Sequence, residues 1–85
     1  MKAVANEYRE KTAAVIGRRV KLILRARGMT QRDLCAELGI TPTTLREQLS
    51  GRHTLRVDTF VRMCLALDCS ADYLLGLSNT PRKNR

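Results

Sequence analysis

The side chains with the clearest chemistry in this 85-residue sequence are its cations. Sixteen Lys and Arg residues stand against eight Asp and Glu residues, so the formal net charge is +8. A small domain with this balance attracts polyanions. Charge alone leaves DNA, RNA, an anionic membrane surface and an inert basic surface as alternatives.

The residues that build metal or catalytic centres are sparse. Three cysteines, Cys35, Cys64 and Cys69, and one histidine, His53, are spread along the chain without a Cys-x-x-Cys pair. A zinc site needs about four such ligands, usually in close pairs, and an odd cysteine count does not indicate a disulfide framework. We therefore expect no metal, no cofactor and no enzyme, and buried thiols in a reducing cytoplasm.

The elements that position these side chains are predicted to be five short helices around an aliphatic core, because aromatic residues make up only 4%. Threonine or serine caps and glycine stops set the boundaries. The predicted helices cover residues 12–27, 31–38, 42–50, 57–67 and 71–75. Residues 1–11 are expected to be a flexible or helical extension, 12–78 one domain, and 79–85 a basic disordered tail. No apolar run is long enough to span a membrane.

Apolar residues at helical spacing define the expected core. They are Ala13, Ile16, Val20, Ile23, Leu24, Leu34, Leu38, Leu45 and Leu49, followed by Val57, Phe60, Val61, Cys64 and Leu67. Thr12, Thr30, Thr41 and Ser70 are the expected N-caps.

The most informative segment is residues 31–50, where two short helices are joined by a turn at Gly39. Ile40 is expected to enter the core behind that turn, and Leu34, Leu38 and Leu45 to fix the pair to the other helices. The outer face of the helix from Pro42 to Ser50 is then left uncovered. A helix presented in this way fits the major groove of B-DNA, which is about 12 Å wide.

The chain resembles the Cro/cI-type, or XRE-type, helix-turn-helix family over residues 16–77. The matching motifs, in family order, are Met29-Thr30-Gln31, Leu38-Gly39-Ile40-Thr41, Ser50-Gly51-Arg52, Val57-Asp58-Thr59-Phe60 and Ser70-Ala71-Asp72-Tyr73-Leu74-Leu75-Gly76. The resemblance implies an all-α fold, a compact bundle of five short helices of the phage-repressor DNA-binding-domain type. Gln48 replaces a usual apolar anchor, and Leu24 and Leu49 stand where several members have an Arg–Glu pair, so a Leu24–Leu49 contact is expected.

The resemblance also implies roles for individual residues. Base-reading positions would be Thr43, Thr44, Arg46 and Glu47, although Thr44 could pack or cap instead. Phosphate contacts would come from Gln31, Arg52, His53 and Arg56. Tyr73, Leu74, Leu75 and Leu77 would either close the core or form a dimer contact. The cations between Arg18 and Arg27 are expected to act mainly as a general positive field, with direct DNA contact as the alternative, and the tail to add electrostatic affinity.

The predicted function is that of a DNA-binding transcriptional regulator, most simply a cytoplasmic repressor that binds a duplex operator as a homodimer. No membrane and no small-molecule ligand is expected as a partner. The alternative is an antitoxin-like or adaptor module that binds a partner protein as well as DNA. RNA binding is less favoured because stacking aromatics and RNA-module signatures are missing.

Overall fold

The computed structural model describes the backbone of residues 2–81 and the side chains of residues 8–81. In that part of the chain there are five α-helices and no strand. They are α1 (Lys2–Ala26), α2 (Gln31–Leu38), α3 (Pro42–Leu49), α4 (Val57–Leu67) and α5 (Ala71–Leu74). The predicted all-α fold is confirmed.

Side-chain caps begin three of these helices as predicted. The Thr30 hydroxyl accepts a hydrogen bond from the Asp33 amide (3.1 Å), and the Asp33 carboxylate accepts one from the Thr30 amide (2.9 Å). Thr41 caps α3, whose first residue is Pro42, and Ser70 caps α5. Each cap satisfies backbone N–H groups that lack a partner within the helix.

Left-handed residues end the first two helices and α4. Gly28 and Gly39 have φ angles of 66° and 68°, in the region where an L side chain is strained. After α1, the Met29 amide donates a hydrogen bond to the Leu24 carbonyl (2.8 Å). By contrast, the left-handed residue that follows α4 is Asp68, with φ of 49°, so no glycine marks the end of that helix.

The start of α1 differs from the prediction. The helix begins at Lys2, so Thr12 lies inside it, is exposed and is not its cap. A threonine in a helix interior loses only part of a kcal/mol relative to alanine, and the residues around it continue the helix. The extension is therefore a backward continuation of α1.

A single core joins all five helices. All five stripe residues of α1, together with Leu34, Cys35, Leu38 and Leu45 from the helix pair, are buried as predicted. Ile40 and Leu49 are half-buried and pack against this core. The apolar face of α3 is thus fixed, while its other face is left for contacts outside the molecule.

The prediction for α4 is wrong at two positions. Val57 and Val61 are 78% and 49% exposed, whereas Thr59 and Met63 are buried. This helix is apolar around most of its circumference, so periodicity alone does not select the face that packs. Contact with α2 and α5 selects it.

All three cysteines are buried thiols, with exposed fractions of 3% for Cys35, 9% for Cys64 and 1% for Cys69. Burial raises the pKa of the Cys35 thiol above its ordinary value, because the charged thiolate is disfavoured away from water. These residues behave as small apolar core residues.

The chain after α5 folds back against the helices. Arg19 donates to the Ser78 carbonyl (3.1 Å) and to Asn79 Oδ1 (3.2 Å), and its guanidinium lies 4.4 Å from the centre of the Tyr73 ring. The Ser70 amide donates to the Pro81 carbonyl (2.9 Å). Residues 82–85, which carry all the cations of the predicted tail, lie outside the described residues.

Candidate nucleic-acid interface

Helix α3 presents a polar face to the outside of the molecule. Leu45 is 1% exposed and anchors the helix, whereas Pro42, Thr43 and Arg46 are exposed. Thr43 and Arg46 are three residues apart and share a face. The Arg46 side chain forms no ion pair or hydrogen bond with other described residues. Both side chains are thus available to an external ligand.

Thr44 has a different local role. Its amide donates to the Thr41 hydroxyl (3.1 Å), and the two hydroxyl oxygens are 3.0 Å apart, within hydrogen-bond distance. Thr44 is also half-buried. Its side chain supports the start of α3, which is the capping role that the sequence left open.

Glu47 is half-buried and lies beside the loop that follows α3. Its Oε2 is 3.3 Å from His53 Nε2, and its backbone carbonyl accepts from the Arg52 amide (3.1 Å). Residue Glu47 therefore ties the loop to the last turn of α3. Two predicted functional residues, Glu47 and His53, are brought together by this contact.

The loop cations differ in how they are held. The Arg52 side chain is exposed and has no side-chain partner among the described residues. Arg56 precedes α4, and its Nε donates to Asp58 Oδ1 (3.0 Å), with both side chains largely exposed. An exposed pair of this kind is held weakly, so either arginine can turn toward an anion.

Gln31 lies at the first position of α2, where backbone N–H groups point out of the helix. It borders a cleft of about 560 Å³ between α1 and α3. Arg18 and Lys21 of α1 and Arg46 of α3 line the same cleft, which we call the basic cleft. The structure thus brings Gln31 and Arg46 together and adds Arg18 and Lys21, which belong to the run that the sequence predicted mainly as a general positive field.

The fold and the exposed α3 are those of a known family. A family model described as helix-turn-helix, of the Cro/C1 type, matches residues 20–74, well over half of the chain. The chain belongs to the Cro/C1-type helix-turn-helix family. Comparisons with curated proteins and with solved structures gave no match.

Members of the Cro/C1-type helix-turn-helix family are DNA-binding regulators and are generally not enzymes. In the described part of this chain, no helix has the length and apolar character needed to cross a bilayer. Nor do its described His, Cys, Asp and Glu residues form a group of three or more that could hold a metal ion. The family match makes this chain a DNA-binding helix-turn-helix regulator.

Two departures from the usual helix-turn-helix pattern have visible consequences. Gln48 lines an apolar cleft together with Ile16 and Phe60, and its Oε1 is buried without a hydrogen-bond partner among the described residues. Leu49 packs against the core cluster that contains Leu24 and approaches Gly17, where an added Cβ would lie 3.6 Å from Leu49 Cβ. An apolar residue thus occupies the site of the family's buried ion pair.

The predicted dimer residues divide into two groups. Tyr73 and Leu74 are 7% and 0% exposed and belong to the core of this helix-turn-helix protein. Leu75 and Leu77 are 36% and 75% exposed. The first pair closes the core, so only the second pair is accessible to another molecule.

Proposed function

We propose that this protein is a sequence-specific transcriptional repressor that inserts α3 into the major groove of a pseudo-palindromic operator. The observation that carries the proposal is the division of α3 into a face fixed by Leu45 and an outer face with Thr43 and Arg46 exposed. An anchored helix of this kind fits the groove in width, and its polar side chains can bond base edges.

Direct base reading is assigned to Thr43, Arg46 and Glu47. A threonine methyl packs against thymine, an arginine binds guanine, and a carboxylate accepts from the amino group of cytosine. Thr44 supports these contacts by holding the start of α3 through its bonds to Thr41.

Contacts to the DNA backbone are assigned to Gln31 and to the loop residues Arg52, His53 and Arg56. Gln31 stands at a helix start, a position that favours phosphate. Arg52 is exposed and its guanidinium is unengaged among the described residues. These contacts would set the orientation of α3 without reading sequence.

Homodimerisation on DNA is proposed through Leu75 and Leu77, the accessible members of the predicted contact. Two copies would place their α3 helices about one helical turn of DNA apart. Repression is proposed because a protein seated on a promoter blocks access to it, and a cytoplasmic location agrees with three buried thiols.

A specific observation favours the second candidate, an antitoxin-like or adaptor module. Val57, Val61 and Leu65 follow one another at four-residue spacing along α4 and are 78%, 49% and 64% exposed. A row of this kind on a helix surface can bind an apolar partner. Under this alternative, Val61→Lys abolishes partner binding and leaves DNA binding intact.

The decisive experiment is selection of the full chain on a random duplex library at two salt concentrations. We expect one enriched motif with two-fold related halves, and weaker binding at the higher salt concentration because phosphate contacts release counterions. Equal retention of all sequences would contradict sequence-specific binding.

A further inference from the structure

We propose that the basic cleft binds the DNA backbone, so that α1 is a second DNA-binding element beside α3. This inference rests on the proposed function and extends it to Arg18 and Lys21. Both residues line the cleft together with Arg46 and Gln31. The ligand is a phosphodiester backbone, and sequence reading stays with α3.

The electrostatics of the cleft point to an anion. Three of the residues that line it are cations, and none is acidic. Arg18, Lys21 and Arg46 form no ion pair or hydrogen bond with other described residues. Like charges gathered in one concave site raise the local concentration of an anionic ligand.

Other cations of the same region are already engaged. Arg19 is bound to the Ser78 carbonyl and to Asn79, and Arg27 donates to the Asp68 carbonyl (2.9 Å). The structure therefore separates Arg19 and Arg27, which are held by contacts within the fold, from Arg18 and Lys21, which line the cleft.

The shape of the cleft suits a backbone phosphate. Small residues of α1, Ala14 and Gly17, line it opposite Leu49, which approaches Gly17 closely. The absence of large side chains at these two positions leaves the volume of about 560 Å³ open to solvent-borne groups. Arg46 also belongs to the base-reading face of α3. A phosphodiester backbone bound in the cleft would therefore lie next to the bases that α3 contacts.

The test compares Arg18→Ala, Lys21→Ala and the double variant with Arg27→Ala, using the full chain. Arg27→Ala removes one positive charge just after the end of α1, outside the cleft. Affinity is measured by fluorescence anisotropy against the selected operator and an unrelated duplex, over a series of salt concentrations. Thermal melting of each variant verifies that it is folded.

We expect the double variant to lose about 10-fold or more in affinity for both duplexes at low salt, and the slope of log K against log salt to fall by about 1.8. Arg27→Ala should leave that slope unchanged, and Arg18→Lys should retain it. The preferred motif should be the same for every variant.

If the double variant and Arg27→Ala lose the same affinity and salt slope for each charge removed, the inference is overturned and the proposed function still stands. Failure of the unaltered protein to bind any duplex would overturn both. A second comparison places a carboxylate in the cleft with Ala14→Glu and on the exposed surface of α2 with Ala36→Glu. Only the first should weaken binding strongly, and equal weakening would contradict a backbone site in the cleft.

Discussion

Glu47 and Arg52 are joined by a backbone hydrogen bond, yet their side chains are proposed to do different work. Glu47→Ala should change the preferred base at one operator position, because it removes an acceptor from the base-reading face. Arg52→Ala should weaken all sequences alike and lower the salt slope by about 1, because a phosphate contact carries no sequence information. Library selection and salt titration of both variants measure these effects.

The contact between Glu47 and His53 calls for a control in that comparison. His53→Ala breaks the 3.3 Å contact but keeps the carboxylate. If it changes base preference in the same way as Glu47→Ala, then Glu47 acts by positioning the loop and does not read a base. Identical behaviour of the Glu47 and Arg52 variants would contradict both assigned roles.

Gln48 is the residue whose replacement should most clearly raise stability. Its buried Oε1 has no partner among the described residues, and a buried polar group without a hydrogen bond costs about 1–3 kcal/mol. Gln48→Leu places an apolar side chain of similar size next to Ile16 and Phe60. We expect the free energy of unfolding to increase by about 1 kcal/mol, measured by urea denaturation. Gln48→Glu should instead decrease it, and the opposite order would show that the amide has a partner.

At the scale of the element, the start of α2 predicts a response to pH. The Thr30 amide and hydroxyl hold the pKa of the Asp33 carboxyl below its ordinary value of 3.8. A group with a lowered folded pKa contributes stability above its unfolded pKa and loses that contribution as pH falls through the folded value. Asp33→Asn should therefore be less stable at neutral pH and lose less stability on acidification. Urea midpoints at about pH 6 and about pH 3 test this, and parallel losses in both proteins would contradict it.

Two glycines form a matched pair for testing the ends and interiors of helices. Gly76 has φ of 79°, and an added Cβ would lie 2.8 Å from Val15 Cγ1. Gly76→Ala should cost about 2 kcal/mol, because left-handed backbone and a close contact both oppose it. Gly17 lies inside α1, and its added Cβ would meet Leu49 at an ordinary 3.6 Å.

Gly17→Ala should therefore keep or raise the melting temperature, since alanine is favoured over glycine in a helix by about 1 kcal/mol. Thermal melting followed by circular dichroism compares the two variants. A large loss for Gly17→Ala would mean that α1 and α3 cannot move apart by even a few tenths of an ångström.

The caps of α2, α3 and α5 and the glycine turn after α2 could be predicted from the sequence because they act locally. Thr30, Thr41 and Ser70 cap where expected, and Gly39 makes the turn between α2 and α3. The packed face of α4 could not be predicted, since its circumference is apolar nearly all round and only tertiary contact chooses between Val61 and Met63. The sequence left open whether residues 1–11 continue α1, because these residues carry no apolar stripe.

The candidate site was predictable to the same extent. The exposure of Thr43 and Arg46 follows from the burial of Leu45, which helical spacing already indicates. The sequence alone could not show that Arg18 and Lys21 line the cleft, whereas Arg19 is hydrogen-bonded within the fold. That separation depends on where α3 and residues 78–79 pack against α1.

At the scale of the whole molecule, dimer formation is predicted to depend on Leu75 and Leu77. The double change to Asp should leave binding to an operator half-site unchanged and weaken binding to the full operator by about 10-fold or more, because linked sites lose their effective concentration. Anisotropy on half and full operators measures this. Equal affinities of the variant and the unaltered protein for the full operator would exclude a dimer contact there.

The three buried sulfhydryl groups allow opening of the native fold to be measured by thiol modification. An alkylating reagent reaches Cys35, Cys64 and Cys69 only when the helices separate, since each is at most 9% exposed. The rate of modification then reports how often the native state opens. Operator DNA in excess should lower the modification rate as the fraction of unbound protein falls, because a ligand that binds only the native state makes opening rarer.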